Sequence, residues 1–236
     1  MDMKKIITCA ALLAGIVFFN GRLNAQVESD IVGYINPTMN PSLTMLAVPF
    51  TALTSTDDSI AINDLLQGNF AAGDTIQIFD GISSYTTLTY RTTSTLNGKN
   101  MGPAWCEGRS NYSTIELAAG DCFWINTKAT VTLIGKVSST KALALDANSL
   151  HMIANTQPVD VAINDITFEG VSAGDTIQIF DGVSSYTTLT YRAASTLNGV
   201  AMGAAWCEGR NTYSQAKILA GTGFWINTKA DVTVTF

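Results

Sequence analysis

The chain has 236 residues, 47% hydrophobic and only 14% charged, and its 13 Lys and Arg against 19 Asp and Glu leave a net charge of −6. With no basic run anywhere, this balance argues against nucleic acid, which needs a stripe of Lys and Arg, and against polybasic attachment to an anionic membrane. The length allows one large domain or two of about 100 residues, and the apolar fraction is enough to bury a core.

At the N-terminus Lys4 and Lys5 precede an apolar run over residues 6–19, and Leu23-Asn24-Ala25 ends in a small residue. These are the parts of a secretory signal peptide, and the run is short for a membrane span. Cleavage after Ala25 is expected, with a retained anchor as the alternative; Cys9 leaves with the leader. The mature chain is then exported to the extracellular space or cell surface, or to the periplasm, with no membrane span.

Beyond the leader the signals are those of strands. Residues 42–50 read as a strand ended by Pro49, and residues 60–67 as a helical turn that Asn63 or Asp64 suits as a start. Residues 75–79 alternate, with Ile76 and Ile78 on one face and Gln77 on the other. Asp80-Gly81 signals a tight turn, and residues 85–91 return with Thr86, Leu88 and Tyr90 opposing Tyr85, Thr87, Thr89 and Arg91. Residues 94–112 are rich in Gly and Asn and are expected to be a loop, while residues 122–126 and 131–137 are further strands. Short strands, frequent turns and almost no helix predict an all-β fold, a sandwich or a barrel-like one.

The chain repeats itself. GDTIQIFDGISSYTTLTYR at 73–91 returns at 174–192 with one change, Ile82 to Val183; residues 101–113 return at 202–214 and residues 123–129 at 224–230, always 101 residues apart. Upstream, residues 42–47 correspond to 149–154 and Ile62-Asn63-Asp64 to Ile163-Asn164-Asp165, while IVGYI at 31–35 aligns with LIGKV at 133–137. Two tandem homologous β modules are therefore expected, 26–134 and 135–236, after a leader at 1–25.

The order SLTMLAVPF, GDTIQIFDG, a Trp-containing segment, LAAGDCFWI or LAGTGFWI, and VTL resembles a class of secreted bacterial β modules. In that class a hairpin of the pattern GDxIxx[FY][DN]G and a strand LxxGxG[FY]W[IV] recur once per unit. The resemblance covers both copies and implies cell-surface or extracellular scaffolds without an established activity. The chain departs from the pattern at Asp121-Cys122, where the second copy keeps Thr222-Gly223.

Three cysteines follow the leader. Cys106 and Cys207 are equivalent, whereas Cys122 faces Gly223 in the alignment. Either Cys106 and Cys122 form a disulfide within the first copy, or all three are small buried hydrophobes. With no CxxC and a single His, His151, no metal or cofactor is expected.

The duplicated carboxylates Asp74, Asp80 and Glu107, with Asp175, Asp181 and Glu208, raise glycoside hydrolysis, which needs two carboxylates about 5 to 10 Å apart. Turn chemistry explains the Asp residues as well, and no nucleophile, base and orienting group stand together, so no enzyme is expected. The best binding candidate is Trp105, Glu107, Arg109 and Tyr112, with its copy Trp206, Glu208, Arg210 and Tyr213. Aromatic planes beside planar polar groups suit a glycan or peptide; the competing reading has the Trp plugging the core and Glu107 paired with Arg109. Three functional readings follow: a non-catalytic structural or adhesive surface protein with a cell-surface or matrix partner, a glycan- or peptide-binding protein using the Trp segments, and an outer-membrane β-barrel ending in the alternating Val232-Thr233-Val234-Thr235-Phe236.

Overall fold

The repeated stretch forms the hairpin that its alternation predicts. Strands Thr75–Phe79 and Tyr85–Arg91 pair antiparallel with Ile76 opposite Leu88, and both side chains are fully buried. In this computed structural model the described residues are 32–40, 43–53, 58–137, 142–197, 200–209 and 212–236; the predicted leader at 1–25, with Cys9, lies outside them. The turn differs from the expected tight one. It is a loop over residues 80–84, closed by Asp80 N–H donating to the Ser84 carbonyl, with Gly81 at a φ of 83°.

Around this hairpin the first copy builds two layers. One sheet runs in the order Thr44–Ala47, Cys122–Asn126, Thr75–Phe79, Tyr85–Arg91, Ala104–Glu107, Asn111–Tyr112, Thr95–Leu96, Lys99–Asn100. The facing sheet centres on Val131–Val137, which pairs with Val32–Ile35, Phe50–Thr51 and Leu66–Gly68. Between them lies an apolar core that includes Leu46, Phe50, Ile76, Leu88, Trp105, Phe123 and Leu133. The second copy repeats this with a sheet from Leu150–Ala154 through Gly223–Asn227, Thr176–Phe180, Tyr186–Arg192 and Ala205–Glu208 to Thr212–Tyr213, and a facing sheet Ala142–Leu145, Val232–Thr235, Thr167–Glu169. Its core includes Ile177, Leu189, Trp206, Phe224 and Val234. The fold is all-β and sandwich-like.

Several local expectations change in three dimensions. The single strand expected over 42–50 is two, because Pro49 has no N–H for a ladder: Thr44–Ala47 joins one sheet and Phe50–Thr51 the other. The expected loop at 94–112 holds four short strands; its Gly and Asn residues serve turns, with Asn97, Gly98, Gly102 and Gly108 all at positive φ. Of the segments aligned as equivalents, residues 32–35 and 133–136 are partners instead, with Gly33 opposite Gly135. A Cβ on either glycine would run into the Phe50 side chain, and that shared requirement makes the two segments look alike. The place of Val32–Ile35 is taken in the second copy by Ala142–Leu145, which pairs with Val232–Thr235.

The barrel reading also fails on this geometry. Every sheet among the described residues is open, and Val232 and Val234 are buried in the core between layers rather than turned outward as a lipid-facing band requires. Among the described residues no helix is long and apolar enough to cross a membrane.

Residues 32–236 form one unit. A third apolar cluster joins the copies: Met45, Ala47, Cys122 and Trp124 of the first against Ala154 and Trp225 of the second, flanked by Leu43, Phe79, Met152 and Phe180.

Candidate functional site

Trp105 sits in a strand, opposite Tyr90 in the antiparallel ladder with Tyr85–Arg91, and the indole turns inward. It is 1% exposed and packs edge-on against Phe70 at 5.0 Å and Tyr90 at 5.3 Å between ring centroids. Trp206 is likewise 1% exposed, with Phe168 at 5.2 Å and Tyr191 at 5.3 Å. Neither indole Nε1–H has an oxygen or nitrogen partner among the described residues, so packing alone holds the rings. Neither indole plane is left for a ligand to stack on. The buried option is the one the fold adopts.

What positions each Trp is an asparagine. Asn63 Oδ1 accepts the Trp105 N–H at 2.8 Å, while Asn63 Nδ2 donates to the Trp105 carbonyl at 3.2 Å and the Ser113 carbonyl at 3.0 Å. The amide thus supplies one acceptor and two donors to two backbone segments, as an extra strand would. Asn164 does the same for Trp206 and Ser214, at 2.9, 3.2 and 3.0 Å. Helix capping, the role its sequence suggests for Asn63, is not the one it plays: the four-residue helix Ile62–Leu65 starts after Ala61 and has no side-chain cap. One signal was present in the sequence, since Asn63 precedes Trp105 by 42 residues and Asn164 precedes Trp206 by the same 42.

The polar members of the candidate set stand apart from the Trp rings. Glu107 is exposed and its Oε1 accepts the Ser113 hydroxyl at 3.0 Å; Glu208 and Ser214 repeat this at 3.0 Å. Arg109 is exposed in the turn that follows, and Arg210 lies outside the described residues. Tyr112 is half-buried opposite Cys106; burial, with the Asp64 carboxylate adding to it, raises its phenol above the ordinary value. Tyr213 Oη donates to the Gly203 carbonyl at 3.1 Å.

The duplicated aspartates are engaged in turns. Asp80 Oδ1 accepts the N–H groups of Ile82, Ser83 and Ser84 at 2.8, 2.9 and 3.0 Å, and Asp181 those of Val183, Ser184 and Ser185. Donation from Ser84 and Ile82 holds the Asp80 carboxyl below its usual value, and Ser185 and Val183 do so for Asp181. Asp74 Oδ2 accepts the Ala71 N–H at 2.9 Å and the Thr127 hydroxyl at 2.6 Å. Asp74 and Asp80 bracket an extended strand, so about 20 Å of chain separates them. That is beyond the reach of a glycosidase pair.

Of the two cysteine alternatives, the Cys106–Cys122 bridge is corrected and the buried thiols are what the fold contains. Cys106 and Cys122 lie on strands three places apart in one sheet, roughly 14 Å at the ordinary strand spacing, too far for a bridge. All three thiols are free and buried. Burial pushes the Cys122 thiol well up, and the Asp121 carboxylate adds to it. Among the described residues no cluster of His, Cys, Asp and Glu gathers that could hold a metal ion.

Two clefts flank the junction of the copies. One of about 460 Å³ is lined by Asn40 and Met45 with Phe180, Asp181 and Gly182. Its counterpart, of about 280 Å³, is lined by Phe79, Asp80 and Gly81 with His151 and Met152. Compared with known protein families, curated proteins and solved structures, the chain finds no match.

Proposed function

We propose that this chain is a non-catalytic exported protein with a structural or adhesive role at the cell surface or in the extracellular space. One observation carries the reading: the residues with chemical potential are engaged within the fold, in the same way twice. Trp105 and Trp206 fill cores, Asp80 and Asp181 organise loops, and Glu107 and Glu208 take neighbouring serine hydroxyls. The N-terminal charge and apolar pattern supports export. A surface poor in charge, with Thr and Ser along its strands and loops, on tandem β modules suits a spacer or contact protein. Its partner class is a glycan or protein of the surface or matrix.

The test is to express the chain in a bacterial host, shave intact cells with protease, and sequence the N-terminus of the recovered chain. Loss of the chain on shaving, with Gln26 as its first residue, supports the reading. A chain retained in the cytosol and starting at Met1 overturns it.

A further inference from the structure

Contacts between the two copies come in reciprocal pairs. At the 101-residue spacing Phe79 corresponds to Phe180 and Trp124 to Trp225. Phe79 meets Trp225 edge-on at 5.1 Å between centroids, and Phe180 meets Trp124 at the same 5.1 Å. The backbone repeats the exchange: Ala47 N–H donates to the Gly221 carbonyl at 2.9 Å, and its counterpart Ala154 N–H donates to the Gly120 carbonyl at 3.0 Å. The glycines follow suit. A Cβ on Gly120 would run into Leu143, and one on Gly221 would lie 3.0 Å from Ile35. Leu143 and Ile35 hold matching places, opposite Val234 and Leu133 in their sheets.

An interface in which i touches j′ while j touches i′ is the mark of two-fold pairing between like units, the arrangement of a symmetric dimer. On such an axis a position must meet its own equivalent. Here the positions are 122 and 223, which carry Cys in the first copy and Gly in the second. A Cβ on Gly223 would run into Cys122 Sγ of the first copy, and would also lie 2.6 Å from the Ile153 carbonyl oxygen of its own. Cys122 packs at the junction in one cluster with Ala154 and Trp225 of the second copy.

We infer that this face is a self-complementary pairing surface whose partner is another module of the same fold, and that residues 122 and 223 decide which modules pair. One side chain fits at the axis beside a glycine; two do not. Unlike copies therefore pair, and two modules that both carry Cys at this position are kept apart. Nothing in this pairing depends on where the chain is delivered.

A double-mutant cycle in the full chain tests it. Gly223→Ala sets a methyl against Cys122 and the Ile153 carbonyl and lowers the thermal midpoint, and Cys122→Gly in the same chain restores the part of the loss that the thiol causes. Losses that simply add overturn the inference. If Gly223→Ala alone does not fold, folding of the C122G/G223A chain supports it and failure of that chain overturns it.

Discussion

Asn63→Ala removes three hydrogen bonds, from the Trp105 N–H and to the Trp105 and Ser113 carbonyls. At about 1 kcal/mol each the sum is about 3 kcal/mol, and because Asn63 is half-buried, water recovers part of it. A net loss of about 2–3 kcal/mol in a chain of this size lowers the thermal midpoint by about 5–10 °C. The control is Asp64→Ala, one residue on, exposed and expected to stay within about 0.5 kcal/mol of the parent. Asn63→Asp sharpens the test, because it keeps the acceptor for the Trp105 N–H but turns an oxygen toward two carbonyls. That carboxyl is raised above its unfolded value of about 3.9. A raised group contributes stability below the unfolded pKa and loses it as pH rises through the folded one, so the gap between N63D and the parent narrows on acidification. The assay is thermal unfolding by circular dichroism with the near-ultraviolet signal of the tryptophans. An N63A chain as stable as D64A would refute the clamp.

Trp105→Ala and Trp206→Ala each cost about 3–5 kcal/mol by denaturant titration, as core truncations do; a chain that unfolds at the parent's midpoint after either change would show the indole is not in the core. The depressed Asp80 and Asp181 carboxyls contribute stability above their unfolded pKa of about 3.9 that is lost as pH falls through the lower folded value. A D80N/D181N chain therefore loses less thermal midpoint between neutral and strongly acid pH than the parent, and an equal loss would refute this. Cys106, Cys122 and Cys207 should resist an aromatic disulfide reagent in the native chain and all react in denaturant; a single reactive thiol in denaturant would reveal a disulfide.

Much of the fold could be read along the chain because its signals are local. The alternation of Ile76, Ile78 and Leu88 sets which face of the hairpin is buried, and Asp80-Gly81 marks where it turns. The Trp segment was harder. Gly98, Gly102 and Gly108 suggest irregular chain, yet with positive φ they make turns between strands that only a neighbouring strand can complete. The Asn63 clamp was hidden for a related reason: its three partners lie 42 and 50 residues away, and a helix start nearby offered a cheaper local explanation.

By itself the sequence determined the all-β class, the repeat and the hairpin, since period-two alternation and turn chemistry act between neighbours in the chain. Only the tertiary structure decided that Trp105 and Trp206 face inward, that residues 32–35 pair with 133–136, and that Cys122 meets Gly223. Each of these depends on which distant strand lies alongside, and burial between layers is a property of that pairing rather than of any single stretch of residues.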